Sequence, residues 1–228
     1  MNLLSIILQV TSGLIESPEA EEIKLSLWEL AKEGGWIMIV LAVFSVIAIY
    51  IFTERFITIN KASKKDDNFM NVIREYMIEG KLSEAKDLCK ETDTPISRMI
   101  EKGISRIGKP LNDIQTAIEN VGNLEVSKLE KGVALIGMIS GAAPMLGFLG
   151  TVTGMIRAFY DMSMAGNNID IELLSAGIYE AMVTTVGGLI VGIVAFILYN
   201  ILVSRIDNVV NLLESKSIEF MDVLNEPV

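Results

Sequence analysis

Three stretches of this sequence, 34–53, 132–156 and 181–204, contain no Asp, Glu, Lys or Arg. Each is at least 20 residues long, enough for a helix rising about 1.5 Å per residue to cross a hydrocarbon core of about 30 Å. The chain is 51% hydrophobic, with a mean hydropathy of +0.46. Uncharged runs longer than about 18 residues argue for membrane spans rather than buried helices of a soluble fold. The expected fold class is an all-α membrane protein with three transmembrane helices.

The first 33 residues are a separate problem. "MNLLSIILQV" is apolar but lacks the basic residues that open a secretory signal, and the acidic "SPEAEE" follows instead of a small-residue cleavage site. Segment 1–33 reads as an external arm, either an interfacial helix or a weakly ordered stretch. An atypical signal peptide is the alternative.

Charge then orients the chain. Of the 19 Lys and Arg, 14 lie between 54 and 131, with Arg55, Lys61, Lys64 and Lys65 close behind the first span. Basic residues flanking span ends favour the cytoplasmic side. Segment 54–131 is therefore expected inside, hairpin 157–180 outside, and tail 205–228 inside. The expected location is the bacterial inner membrane, with the N-terminus outside and the C-terminus cytoplasmic. The net charge is −10, yet the inner segment balances 14 bases with 14 acids. No basic patch points to nucleic acid.

The inner segment carries helical periodicity over 66–80, 83–91 and 94–108, with Gly80 as a stop. From Pro110, a stripe of Leu111, Ile114, Ala117, Ile118, Val121 and Leu129 begins, with no clear breaker before span two. After span three, Ile206, Val209, Val210, Leu213, Ile218, Met221 and Leu224 form another stripe. Both spans are expected to continue as helices into a helical cytoplasmic region. With one Cys and no His, the sequence supports neither a disulfide framework nor a transition-metal site. No nucleophile–base set or phosphate loop is present, so the chain reads as a non-enzyme with no cofactor.

Spans two and three are unlike span one. "WIMIVLAVFSVIAIYIF" is bulky and apolar throughout, whereas "PMLGFLGTVTGMIRAF" (144–159) contains Pro144, Gly147, Gly150, Gly154 and two threonines. Span three answers with Ala181, Gly187, Gly188 and Gly192. Small residues let transmembrane backbones approach closely. A proline inside a span frees a carbonyl that protein or water must cover. Spans two and three are thus expected to pack together and line a pore in an oligomer, with span one facing lipid.

The threonines have two readings. A threonine commonly bonds its own helix backbone. Alternatively, Thr151, Thr153, Thr184 and Thr185 line a polar lumen beneath Glu180, which lies one helical turn before Thr184. An ionisable residue at a membrane boundary is a functional candidate; as a helix-start residue, Glu180 would be no more than solvated. Spans one to three hold no carboxylate, His or Lys between their ends, so the chain alone is incomplete as a proton relay.

"APMLGFLGTVTGMIRAF" followed by "GIYEAMVTTVGGLIVGIVAFILYN" resembles the ExbB/TolQ/MotA family of proton-channel proteins, ExbB first and TolQ next. Their G-x-x-G-T-V-x-G-M and E-A-x-x-T-T-x-G-G patterns are specific in combination. The resemblance implies a homo-oligomer, a pentamer, around a pore holding the single-span helices of an ExbD- or TolR-like partner, with a TonB-like energy transducer beyond it. It also implies a motor driven by the proton-motive force that energises outer-membrane transport, with the partner's aspartate as the missing acid. Thr151, Glu180 and Thr185 match the family's pore-lining polar positions, whereas helical spacing favours Thr184. Arg157 departs from the short polar residue expected there; it either snorkels outward or pairs with Asp161. Envelope maintenance, surface motility and a non-conducting membrane scaffold remain alternatives. A small-solute transporter is disfavoured by the lack of an inverted repeat.

Overall fold

The computed structural model describes residues 34–63, 68–164 and 171–225. The acidic and apolar features of segment 1–33 fall outside these residues, as does Asp170; of the Glu172 side chain nothing is described. The described residues form helices only, and three of these helices are long and apolar enough to span a membrane.

Helix α1, Gly35–Ala62, is the first span and runs on past its last uncharged residue. Four helices outside the spans follow: α2 (Phe69–Ile78), α3 (Leu82–Thr92), α4 (Pro95–Ile104) and α5 (Leu111–Glu130). The second span is α6, Val133–Met164, and the third is α7, Ile171–Asn225. Gly80 (φ 72°) and Gly108 (φ 90°) follow α2 and α4 in the left-handed region. Thr94 caps α4 reciprocally: its hydroxyl accepts from the Ser97 N–H at 3.2 Å, and its own N–H donates to Ser97 Oγ at 2.8 Å. Pro95 then sits in the first turn, where its missing N–H costs nothing.

One expectation is corrected. The stripe from Leu111 does not flow into span two. Lys131 is extended (ψ 122°) and Gly132 takes φ 84°, so α5 and α6 are separate helices joined by a sharp break. A positive φ is open to glycine without penalty, and hydrophobic periodicity does not register it. The third span behaves as expected: α7 runs 55 residues without interruption, about 80 Å at 1.5 Å per residue. The outer hairpin is also shorter than charge suggested, because α6 extends to Met164 and α7 begins at Ile171.

Helices α2–α5 pack on the C-terminal half of α7. Phe220, Val209 and Leu213 of α7 share one core with Ile100 and Ile104 of α4, Ile118 of α5, Ile73 of α2 and Cys89 of α3. Ile218, expected in the α7 stripe, is instead exposed. Burial pushes the Cys89 thiol up to about 12, leaving it protonated at neutral pH. Glu125 is buried on α5 but paired twice, with Arg98 at 2.7 Å and Lys128 at 2.6 Å. Arg98 also holds Asp93, whose left-handed backbone (φ 42°) ends α3. This cluster ties α3, α4 and α5 together. At the membrane boundary, Arg55 donates to the Lys128 carbonyl at 3.0 Å, satisfying the C-terminal end of α5.

Candidate functional site

The two small-residue spans meet along one seam. A β-carbon at Gly188 would lie 2.6 Å from the Ala143 carbonyl oxygen and 2.8 Å from the Gly147 Cα. One at Gly147 would lie 2.9 Å from the Thr184 carbonyl oxygen, and Gly150 abuts the Thr184 side chain. Further out, Gly154 meets Ala181 and Gly177 meets Ala158 in the same manner. The α6 and α7 backbones therefore touch over several turns, closer than any side chain larger than a methyl would allow. Gly177 belongs to this seam although it lies in the segment assigned to the hairpin. The signal was available: Gly177, Ala181, Gly188 and Gly192 continue one small-residue face at helical spacing. Gly187 points elsewhere, against Met38 and Leu41 of α1.

Pro144 has its defect covered by protein. It has no N–H to give Ser140 four residues back. That carbonyl would lie 3.2 Å from a β-carbon at Gly192, and the proline ring 2.5 Å. The side-chain-free surface of α7 is thus laid over the gap in α6, as a freed carbonyl at membrane depth requires.

The hydroxyls sort into two kinds. Thr153 donates to the Leu149 carbonyl at 2.9 Å, four residues back on its own helix. Thr184 is 2% exposed and donates to the Ala181 carbonyl at 2.7 Å, sealed in the seam. Thr151 and Thr185 differ: both are half-buried, and their oxygens lie 3.3 Å apart across α6 and α7. Thr151 also reaches the Phe148 carbonyl at 2.6 Å and Thr185 the Gly147 carbonyl at 3.1 Å. Each hydroxyl has one proton and more than one acceptor in reach, so the bond between them can form or release without stranding either group. Of the two candidates that spacing and motif had separated, Thr185 joins Thr151 and Thr184 does not. The physical reason is rotation about α7: one residue moves a side chain by about 100°. Thr151 opens into a shallow hollow of about 480 Å³ walled by Phe148, Val152, Met155, Ile156 and Phe159.

Glu180 faces a different neighbour. A β-carbon at Gly35 would lie 2.6 Å from Glu180 Oε1, so the carboxylate occupies the notch at the first turn of α1. Helix starts favour negative charge. Thr184, one turn on, faces α6 instead, so the spacing that stacked the two on one face does not bring them together. Arg157 is exposed and forms no ion pair with Asp161 among the described residues. From Glu180 to Asn200, α7 rises about 30 Å, the thickness of a hydrocarbon core. The Thr151–Thr185 pair then lies about 7 Å inside the boundary at Glu180. Among the described residues, no group of His, Cys, Asp and Glu could hold a metal ion.

This arrangement has parallels. Residues 91–215 match the model of the MotA/TolQ/ExbB proton channel family. A putative biopolymer transport protein ExbB homolog of Methanothermobacter thermautotrophicus is 28% identical, over 82% of this chain and 66% of its own. A putative biopolymer transport protein ExbB-like 1 of Synechocystis is also 28% identical, over 75% of this chain and 68% of its own. The Tol-Pal system protein TolQ of Haemophilus influenzae is 33% identical over a shorter stretch, 37% of each chain. The matched region contains both threonines, the whole seam and α5.

Proposed function

The chain belongs to the MotA/TolQ/ExbB proton channel family, and from that premise we propose that it is the pore-forming stator subunit of a motor driven by the proton-motive force. The observation that carries this reading is the Thr151–Thr185 pair: two exchangeable hydroxyls 3.3 Å apart at membrane depth, beside an open hollow. Several copies, five in the expected assembly, surround a lumen lined by α6 and α7, with the bulky face of α1 outermost towards lipid. A single-span partner of the ExbD or TolR type occupies the lumen and brings the acid that the spans of this chain lack.

In this mechanism, the partner's carboxylate binds and releases the proton. Thr151 and Thr185 accept its hydrogen bond or hold a water beside it, then return to one another and to the Phe148 and Gly147 carbonyls. One elementary charge crossing 100 mV yields about 2.3 kcal/mol, so contacts must exchange at comparable cost. Neutral hydrogen bonds, worth about 0.5–1.5 kcal/mol net, meet that limit better than buried ion pairs. Thr184 supports the pair from within the seam, and Glu180 sets the charge at the outer rim from the α1 side. The membrane is the bacterial inner membrane, with α2–α5 and the α7 tail in the cytoplasm, and the work is energised transport at the outer membrane. The completeness of the hydroxyl bonding within this chain also suits a non-conducting scaffold.

Proton flux decides between them. Proteoliposomes containing the chain co-purified with a single-span partner of the ExbD or TolR type are expected to acidify under an imposed potential. Thr151→Val and Thr185→Val are expected to assemble normally and fall to the leak of empty vesicles; Glu180→Gln assembles and conducts weakly. Wild-type flux in both threonine variants removes the pore role of the pair. No flux in the assembled wild-type complex leaves the scaffold.

A further inference from the structure

A second polar site lies at the opposite end of the spans, between α1 and α7. The inner ends of these helices diverge around a groove of about 720 Å³. Its lower wall is mainly polar: Asn60 and Ser63 from α1, Asn200, Ser204, Arg205 and Asn208 from α7, with Ile59 and Ile201 between them. Its upper wall is apolar, made by Phe196 and Ile197.

The depth of this groove is fixed by its neighbours. Arg55 on α1 meets the Lys128 carbonyl at the end of α5, and Ile51 lies against Gly132, so the hydrocarbon boundary falls at about Arg55. Asn60 lies five residues further, about 7 Å beyond that boundary, in the polar layer of about 5–7 Å that flanks the core. Phe196 and Ile197 lie one turn above Asn200, in the acyl region. The groove is therefore graded as a phospholipid is graded, polar at phosphate depth and apolar above.

Among the described residues that line it, Arg205 carries the charge. Arg205 Nη1 donates to Asn60 Oδ1 at 2.6 Å, and the guanidinium stacks 4.4 Å over the Phe56 ring. These two contacts orient the head group. Asn60 takes one of five guanidinium hydrogens, and no other acceptor meets Arg205 among the described residues. Among the described residues, no carboxylate lines the groove. The amides of Asn200 and Asn208 flank the same opening, although Asn200 also donates to the Phe196 carbonyl at 2.7 Å.

We propose that this groove is a phospholipid site, in which Arg205 and Asn208 hold the phosphate of one anionic glycerophospholipid and Phe196 and Ile197 receive its upper acyl chain. The site is at the end of the spans away from the threonines and does not depend on what the pore conducts. It fastens the inner ends of α1 and α7 to the leaflet on the side of α2–α5.

The experiment is native mass spectrometry of the full-length chain in detergent. Purified protein is stripped of lipid and re-supplied with phosphatidylglycerol or phosphatidylcholine, and melting is followed in parallel. The expected result is one retained phosphatidylglycerol per chain, with a raised melting temperature and at least about tenfold less phosphatidylcholine retained, because its choline brings a second cation beside Arg205. Arg205→Gln is expected to abolish the preference, and Arg157→Gln, at the outer end, to leave it intact. Should Arg205→Gln fail to fold, Asn208→Leu at an exposed position carries the test, with weaker retention expected and unaltered melting without lipid. Equal retention of the two lipids overturns the proposal, as does retention unchanged in the folded variants. If inorganic phosphate alone displaces nothing, the apolar wall is engaged as proposed; if millimolar phosphate reproduces the stabilisation, the groove is a simple anion site and the lipid assignment is wrong.

Discussion

The two ends of α7 are packed in opposite ways. Beyond the spans, the helix meets its neighbours through large side chains: Phe220 is fully buried, against Ile118 and Gly103. In the membrane, it meets α6 through absent ones, with Gly188 against Gly147 and Ala143. The difference follows from the solvent. Water drives bulky apolar groups together, so the cytoplasmic core gains from size. Lipid tails are as apolar as leucine, and there association comes from close backbone approach and hydrogen bonds. A single helix thus obeys two packing rules, changing between them near the inner membrane boundary.

That contrast can be broken experimentally, most severely in the seam. Gly188→Val adds a side chain where a β-carbon already falls 2.6 Å from a backbone oxygen. Neither backbone can yield without parting the helices. The variant is expected to insert but lose the assembled species in size-exclusion chromatography, with no gain from its added hydrophobicity. Phe220→Ala is the cytoplasmic counterpart. Loss of a buried aromatic costs about 3–5 kcal/mol, to be seen as a lower melting temperature with the membrane spans still paired.

A smaller effect is expected at Glu125. Burial by itself would push its carboxyl up, but hydrogen bonds from Arg98 and Lys128 outweigh it and hold the carboxyl below its ordinary value. A carboxylate lowered on folding stabilises fully above its unfolded value, and that contribution is lost as pH falls through the folded one. Glu125→Gln should therefore destabilise the cytoplasmic helices by a constant amount from pH 8 to about 5. The gap to wild type should close below about pH 4, as followed by acid titration of helicity. The smallest effect is expected at Gly141, where a β-carbon would meet nothing within 4 Å. Gly141→Ala should assemble normally, which would show that contact, not glycine content, makes the seam.

Much of this organisation was legible in the sequence. Uncharged length identified three spans, and apolar periodicity found α2, α3 and α4 to within a few residues. The Gly132 break was not legible, because a glycine at the foot of a glycine-rich span carries no mark of its backbone angle. The outer ends of α6 and α7 were missed because charge marks where a span leaves the hydrocarbon, not where its helix stops. At the candidate site, composition located the threonines. Their pairing depends on α7 rotation, which puts Thr185, the motif's position, beside Thr151 and leaves Thr184, the position favoured by spacing from Glu180, bonded to Ala181.

The unbroken run of α7 has a mechanical consequence. Its 55 residues contain no proline, while its partner α6 carries one. A stiff rod about 80 Å long acts as a lever: a tilt of about 5° at one end sweeps the other through about 7 Å. Thr185 lies near the outer end of that lever and Phe220 near the inner one. From Thr185 to Phe220 the rod measures about 52 Å, so the exchange of one hydroxyl contact, if it tilts the rod by about 5°, reaches helices α2–α5 as a displacement of about 4–5 Å.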